Sequence, residues 1–124
     1  MLDLLPQPAS ATRARQAARD YLSAHCPAEV VDTVALLVTE LVTNAVIHAR
    51  TELQLIIDVD SGCVGVRVTD AAPSLPAVRG HDRDDMTGRG LTLVDTLATE
   101  WGVEPRANGK VVWCNVHFDR SSLA

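Results

Sequence analysis

The stretch of residues 28–49, Ala-Glu-Val-Val-Asp-Thr-Val-Ala-Leu-Leu-Val-Thr-Glu-Leu-Val-Thr-Asn-Ala-Val-Ile-His-Ala, constrains this chain more than any other. Its apolar residues recur at helical spacing, which predicts one long helix with most of its surface covered by other elements. Within it Glu40, Asn44 and His48 follow one another at steps of four residues. Each such step advances only about 40° around a helix. The three polar groups therefore share a stripe beside the apolar face of Val34, Leu37, Leu41 and Ala45. That stripe is either the solvated edge of an amphipathic helix or a set of functional groups bordering a core, and spacing alone leaves both open.

A chain of 124 residues fits a single domain able to bury a core without disulfide staples. With 47% hydrophobic and 22% charged residues it has the balance of an ordinary globular protein. A net charge of −5 argues against a nucleic-acid binder, which needs a concentrated basic surface. Aromatic residues, at 3%, are too scarce for base-stacking platforms. Cys26, Cys63 and Cys114 are odd in number and widely spaced, suggesting neither a disulfide framework nor a zinc site and fitting a reducing cytoplasm. The amino terminus lacks a basic region followed by a long apolar core, and no later run reads as about 20 uncharged apolar residues. Neither a signal peptide nor a membrane span is expected.

In chain order, residues 1–9 carry two prolines and the Leu4-Leu5 pair, the pattern of an edge strand or a loose arm. Ser10 or Thr12 is placed to cap a first helix reaching about His25, with Ala14, Ala17, Ala18, Tyr21 and Leu22 as its narrow apolar face. Its arginines, Arg13, Arg15 and Arg19, read as a solvated face or as a partner-binding surface. Pro27 suits the start of the long helix. Residues 53–59 and 63–70 read as an antiparallel hairpin turning at Asp60-Ser61-Gly62. Val64, Val66, Val68 and Asp70 share one parity, so a carboxylate ends the series facing the core. The alternative is that Asp70 lies beyond the strand and caps a turn into Ala-Ala-Pro. Residues 71–89 show no periodicity, and so long an interval inside a compact domain suggests a functional lid. Gly88 and Gly90 precede a short helix over 91–98. They serve helix initiation or leave backbone N–H groups open to an anion, and a lone Gly-x-Gly does not decide which. Two closing strands, 101–104 and 111–118, flank the turn Arg106-Ala107-Asn108-Gly109. The domain is expected over 10–118, with 119–124 a frayed tail.

This order of pieces resembles the GHKL ATP-binding superfamily, and within it the small anti-sigma-factor serine kinases and their actinobacterial relatives. Three stretches carry the resemblance: Glu40-Leu41-Val42-Thr43-Asn44-Ala45, then Thr87-Gly88-Arg89-Gly90-Leu91, then Gly109-Lys110-Val111-Val112-Trp113. It implies an α+β fold, a two-layer α/β sandwich of the Bergerat type, with a mixed, mostly antiparallel sheet and helices on one face. It further implies that Asn44 holds Mg²⁺ through its carboxamide oxygen, that Glu40 is the general base, and that Asp70 accepts a hydrogen bond from the adenine amino group. Gly88, Gly90 and the neighbouring Leu91 would form the phosphate end, with Arg89 a charge partner and the preceding segment closing over ATP. Ala72 stands where the family usually has glycine, and Val111 stands for a threonine at the adenine end. His48 occurs at its position in many relatives, with no catalytic role inferred.

The function so implied is that of an ATP- and Mg²⁺-binding anti-sigma factor with protein serine/threonine kinase activity. Such a protein sequesters a sigma factor and phosphorylates a serine on a small anti-sigma-factor antagonist. The first helix is the candidate docking surface, and a homodimer through that helix or a sheet edge is also implied. The alternative is a non-catalytic module in which ATP only orders the lid and gates the binding of a protein partner. A sensor histidine kinase fits less well, because His25 is the sole candidate phosphoacceptor ahead of the long helix.

Overall fold

The computed structural model of the chain describes residues 1–72 and 90–119. Eight elements follow in order: β1 (Leu2–Leu4), α1 (Ala9–Leu22), α2 (Ala28–His48), β2 (Leu53–Asp60), β3 (Cys63–Asp70), α3 (Gly90–Leu97), β4 (Glu100–Arg106) and β5 (Gly109–His117). The five strands form one sheet in the order β1-β2-β3-β5-β4. Every pairing in it is antiparallel. The helices lie against one face, which gives the expected two-layer α+β sandwich. Where the sequence suggested a mixed sheet, the described strands are wholly antiparallel.

α2 is the centre of the helical layer, flanked by α1 and α3 and resting on β3 and β5. Val34, Ala35, Leu37, Val38 and Val42 are completely buried, and Leu41 is nearly so. These residues cover more than one side of the helix, as burial by three neighbours requires. The remaining solvent stripe contains Asp32, Leu36, Thr43 and Ile47. By length and composition alone α2 could cross a membrane, although Glu29, Asp32 and Glu40 keep it from being the uncharged apolar run that the sequence was expected to lack. A little over half of that stretch is buried inside the fold, so its apolarity is accounted for by the core.

The ends of the elements follow local chemistry. β1 pairs Leu2 with Leu55 and Leu4 with Leu53, making residues 2–4 an edge strand that stops before Pro6. α1 has Pro8 at its cap position and no side-chain cap. Ser10, expected as a cap, is instead buried within the first turn and donates its hydroxyl to the Leu5 carbonyl at 2.7 Å. Thr12 is exposed on the helix. α1 also ends three residues short of His25, where the Ser23 and Cys26 amides turn back onto Arg19 and Leu22. Tyr21, expected on the buried face, is 46% exposed and lies against the His25 ring. Of the three arginines, Arg19 reaches Asp32 on α2 at 2.8 Å. Both partners are well exposed, so that bridge contributes at most about 1 kcal/mol.

The β2–β3 hairpin turns at Ser61 and Gly62, both with positive φ (46° and 83°), the geometry that matches strand twist across a two-residue turn. On β3, Val64, Val66 and Val68 point into the helical layer, and on β5 Val112, Cys114 and Val116 do the same. β5 begins at Gly109, whose φ is +145°. A Cβ there would come within 1.9 Å of the Asp70 carbonyl oxygen, so this glycine is required for β5 to reach the end of β3.

Two outcomes are expected. Gly109→Ala should lower unfolding free energy by about 3 kcal/mol or more, measured by chemical denaturation, because the new methyl meets backbone and the φ is strained. In thiol labelling at pH 8, only the half-buried Cys63 should react in the native chain. Burial shields the Cys26 and Cys114 thiols from reagent and pushes that of Cys114 up to about 12. Burial and the nearby Glu100 and Asp60 carboxylates also push the Cys63 thiol up, so its reaction should be slow.

Candidate active site

Glu40, Asn44 and His48 emerge from α2 with different surroundings. Glu40 is half-buried and His48 is exposed in the last turn, whereas Asn44 is only 6% exposed. The stripe is therefore neither a solvated edge nor a uniform set: its middle member points inward. Among the described residues, no side-chain hydrogen bond engages the Asn44 carboxamide, and no fully buried polar side-chain atom is left unpaired. The carboxamide thus keeps an opening to solvent while its residue sits at the core boundary.

Asp70 is the last residue of β3, and its side chain is 1% exposed. Both readings of it hold at once. Its parity with Val64, Val66 and Val68 directs it to the helix-covered face, and its Oδ1 accepts a hydrogen bond from the Ala72 amide at 2.9 Å, capping the turn. The Ala71 amide is held separately, by Thr51 Oγ1 at 3.0 Å. Ala72 is half-buried and packs against the core cluster. The other carboxylate oxygen, Oδ2, lies 2.9 Å from Nζ of Lys110, a residue to which the sequence motifs assign no role. Asp70 and Lys110 are direct cross-strand partners, so their side chains leave the sheet on the same face.

That register also moves an expected residue out of the site. Val111 pairs with Thr69, one position out of step with Asp70, and so faces the opposite side of the sheet. There it lines a groove of about 350 Å³ with Arg67, Glu104, Trp113 and Asn115, away from the helices. On β5 the residue that shares the helix-covered side with Asp70 is therefore Lys110 rather than Val111. The signal is present in the sequence: Lys110 has the parity of Val112, Cys114 and Val116, as Asp70 has that of its valines.

At the other end, Gly90 is the first residue of α3, and Leu91 and Val94 are completely buried anchors of that short helix. Gly88 and Arg89 lie outside the described residues, as does all but Ala71 and Ala72 of the segment 71–89 expected to close over a ligand. The structure thus brings Asn44, Asp70 and Ala72 to the helix-covered side of the sheet, adds Lys110 and removes Val111.

The donor set fits a magnesium nucleotide better than a free-standing metal. Among the described residues no group of three or more His, Cys, Asp or Glu side chains could hold a metal ion. Mg²⁺ is commonly held by one or two protein oxygens, with triphosphate oxygens and water completing the shell, and an accessible carboxamide oxygen supplies one such ligand.

Comparison with known proteins agrees with this architecture. The chain superposes on the histidine kinase domain of a blue-light activated histidine kinase from Erythrobacter litoralis with a TM-score of 0.62 and 24% identity, covering 90% of this chain and 60% of that one. Against a longer form of the same Erythrobacter litoralis kinase the TM-score is again 0.62 at 24% identity, with 94% of this chain and 46% of the kinase covered. A curated but uncharacterized protein of Streptomyces coelicolor is 41% identical over 56 residues, 44% of this chain and 53% of that protein. The chain therefore spans about half to three-fifths of the proteins it matches. The model of the family described as the histidine kinase-like ATPase domain matches residues 4–115. Since that match runs from the edge strand through every helix and into the last strand, this chain belongs to the histidine kinase-like ATPase domain family.

Proposed function

We propose that this chain binds ATP with Mg²⁺ and acts as a protein serine/threonine kinase of the anti-sigma-factor type, transferring phosphate to a serine of a small antagonist protein and binding a sigma factor. One observation carries the nucleotide part of the reading. The buried polar or charged residues among those described are Ser10, Asn44 and Asp70. Ser10 is accounted for by its bond to Leu5. The other two stand at the magnesium and adenine positions implied by resemblance. Asp70 is held by the Ala72 amide and Lys110, whereas the Asn44 carboxamide has no hydrogen bond among the described residues, a cost that a bound cation would offset.

In this reading bound MgATP supplies the phosphoryl group and the charge that must be neutralised. Asn44 holds the cation through its carboxamide oxygen. Asp70, kept in place by the Ala72 amide and Lys110, accepts a hydrogen bond from the base. Glu40, one turn before Asn44 and half-exposed, is reachable by an incoming hydroxyl and takes its proton. Catalysis of this kind is mainly positioning and electrostatic stabilisation, which a rigid central helix serves well. The sigma factor and the antagonist enter by resemblance to the anti-sigma-factor kinases, and the exposed face of α1 with Arg13 and Arg15 is the surface offered to them.

Calorimetric titration with ATP and GTP, each with and without Mg²⁺, should show magnesium-dependent binding that prefers ATP. No binding at millimolar ATP would overturn the proposal. In variants, Asn44→Ala should abolish the magnesium-dependent part of binding. Glu40→Ala should leave binding intact and slow ADP formation by about 10²- to 10⁴-fold. Equal loss of binding in both would sink the assigned roles, and binding without turnover in the native chain would favour the ATP-gated module.

A further inference from the structure

Lys110 is placed with unusual firmness for a lysine. Gly109, the residue before it, packs its backbone directly against the Asp70 carbonyl with no space for a side chain. The start of β5 therefore cannot drift from the end of β3. Within that fixed register the Lys110 ammonium sits 2.9 Å from Asp70 Oδ2, with the lysine side chain 15% exposed and the aspartate 1%. The pairing makes a buried carboxylate tolerable. It also sets a hydrogen-bond acceptor and a donor side by side at the same end of the sheet.

Neither group is used up by its partner. A carboxylate offers about four lone-pair directions, of which the Ala72 amide and the lysine take two. An ammonium carries three donors, one of them given to Asp70. On adenine the exocyclic 6-amino group, a donor, adjoins ring nitrogen N1, an acceptor. An acceptor beside a donor matches that edge at two neighbouring atoms. Guanine in the same seat presents O6 to the carboxylate and N1–H to the ammonium, like against like at both.

We propose that Lys110 is a base-reading residue of the nucleotide site, donating a hydrogen bond to adenine N1 while Asp70 accepts one from the 6-amino group. The inference rests on the ATP reading above and deepens it, since a carboxylate alone reads one atom of the base and the pair reads two. It also gives the register a chemical purpose, because the β5 residue next in line, Val111, faces the other side of the sheet.

The test is a cycle between protein and ligand, read by calorimetry in Mg²⁺. The native chain is titrated with ATP, with 1-deaza-ATP, in which carbon replaces N1, and with purine riboside triphosphate, which lacks the 6-amino group. Each analogue should bind about tenfold more weakly than ATP or worse, the usual effect of losing a hydrogen bond to a charged group. In Lys110→Met, ATP and 1-deaza-ATP should bind alike, while purine riboside triphosphate remains weaker than either because Asp70 is intact. Should Lys110→Met fail to fold with its carboxylate unpaired, the double variant Asp70→Ala/Lys110→Met removes the buried charge without adding a donor and should likewise be indifferent to N1. Equal binding of ATP and 1-deaza-ATP by the native chain overturns the inference, as does a tenfold gap that survives in either variant. ATP binding without sensitivity to N1 refutes Lys110 as a reader and leaves the ATP proposal standing, whereas no ATP binding by the native chain refutes both.

Discussion

The burial of α2 is the constraint on which the remaining structure depends. A helix whose Val34, Leu37, Val38, Leu41 and Val42 are all removed from water cannot rest on a sheet alone, because a sheet covers only one side of it. α1 and α3 supply the two flanks. Each large aliphatic side chain so buried contributes about 1.5–3 kcal/mol, and the sum is opposed by the entropy of ordering the chain. The same helix carries Glu40 and Asn44 on the margin of its packed surface. The polar stripe gains its rigidity from the apolar residues beside it, so the part of the molecule that resists deformation is also the part that presents chemistry.

A second constraint acts at the far end of the sheet. Antiparallel pairing alone would allow β5 to begin some distance from β3, but Gly109 brings the two backbones into contact at Asp70. That approach turns a cross-strand neighbour into a close ion pair at 2.9 Å. By contrast, the bridges Arg67–Asp58 and Arg106–Glu104 lie exposed on the strands and are screened by water. Burial distinguishes the Asp70–Lys110 pair from these more than distance does.

Much of this is legible in the sequence, for reasons specific to each element. The long helix and the β2–β3 hairpin carry strong periodicity and a Ser-Gly turn, and both lie within a residue of their expected bounds. Asp70 is identifiable because its parity with three valines puts a charge where an apolar residue belongs. What is not legible depends on contacts distant in sequence. Ser10 has the chemistry of a cap, yet its hydroxyl is drawn to the Leu5 carbonyl once β1 docks on β2. Tyr21 fits an apolar face by spacing, but α1 is narrow enough in contact that only Ala11, Ala14, Ala18 and Leu22 are covered along with Ser10. Val111 is different: it fits the site by its position in a motif, but the alternation of β5, visible in the parity of Lys110 with Val112, Cys114 and Val116, already sets it on the other side of the sheet from Asp70.

The sheet order has one further consequence. Asp70 closes the hairpin of β2 and β3, and Lys110 opens the second strand of the hairpin of β4 and β5. Neither hairpin holds the pair by itself, and it comes into being only at the seam where β3 meets β5. A chain with both hairpins formed but the seam open would have most of its strand hydrogen bonds and no Asp70–Lys110 pair. Ligand that requires the pair therefore binds only the fully joined sheet, and by mass action it draws partly assembled chains across that last junction.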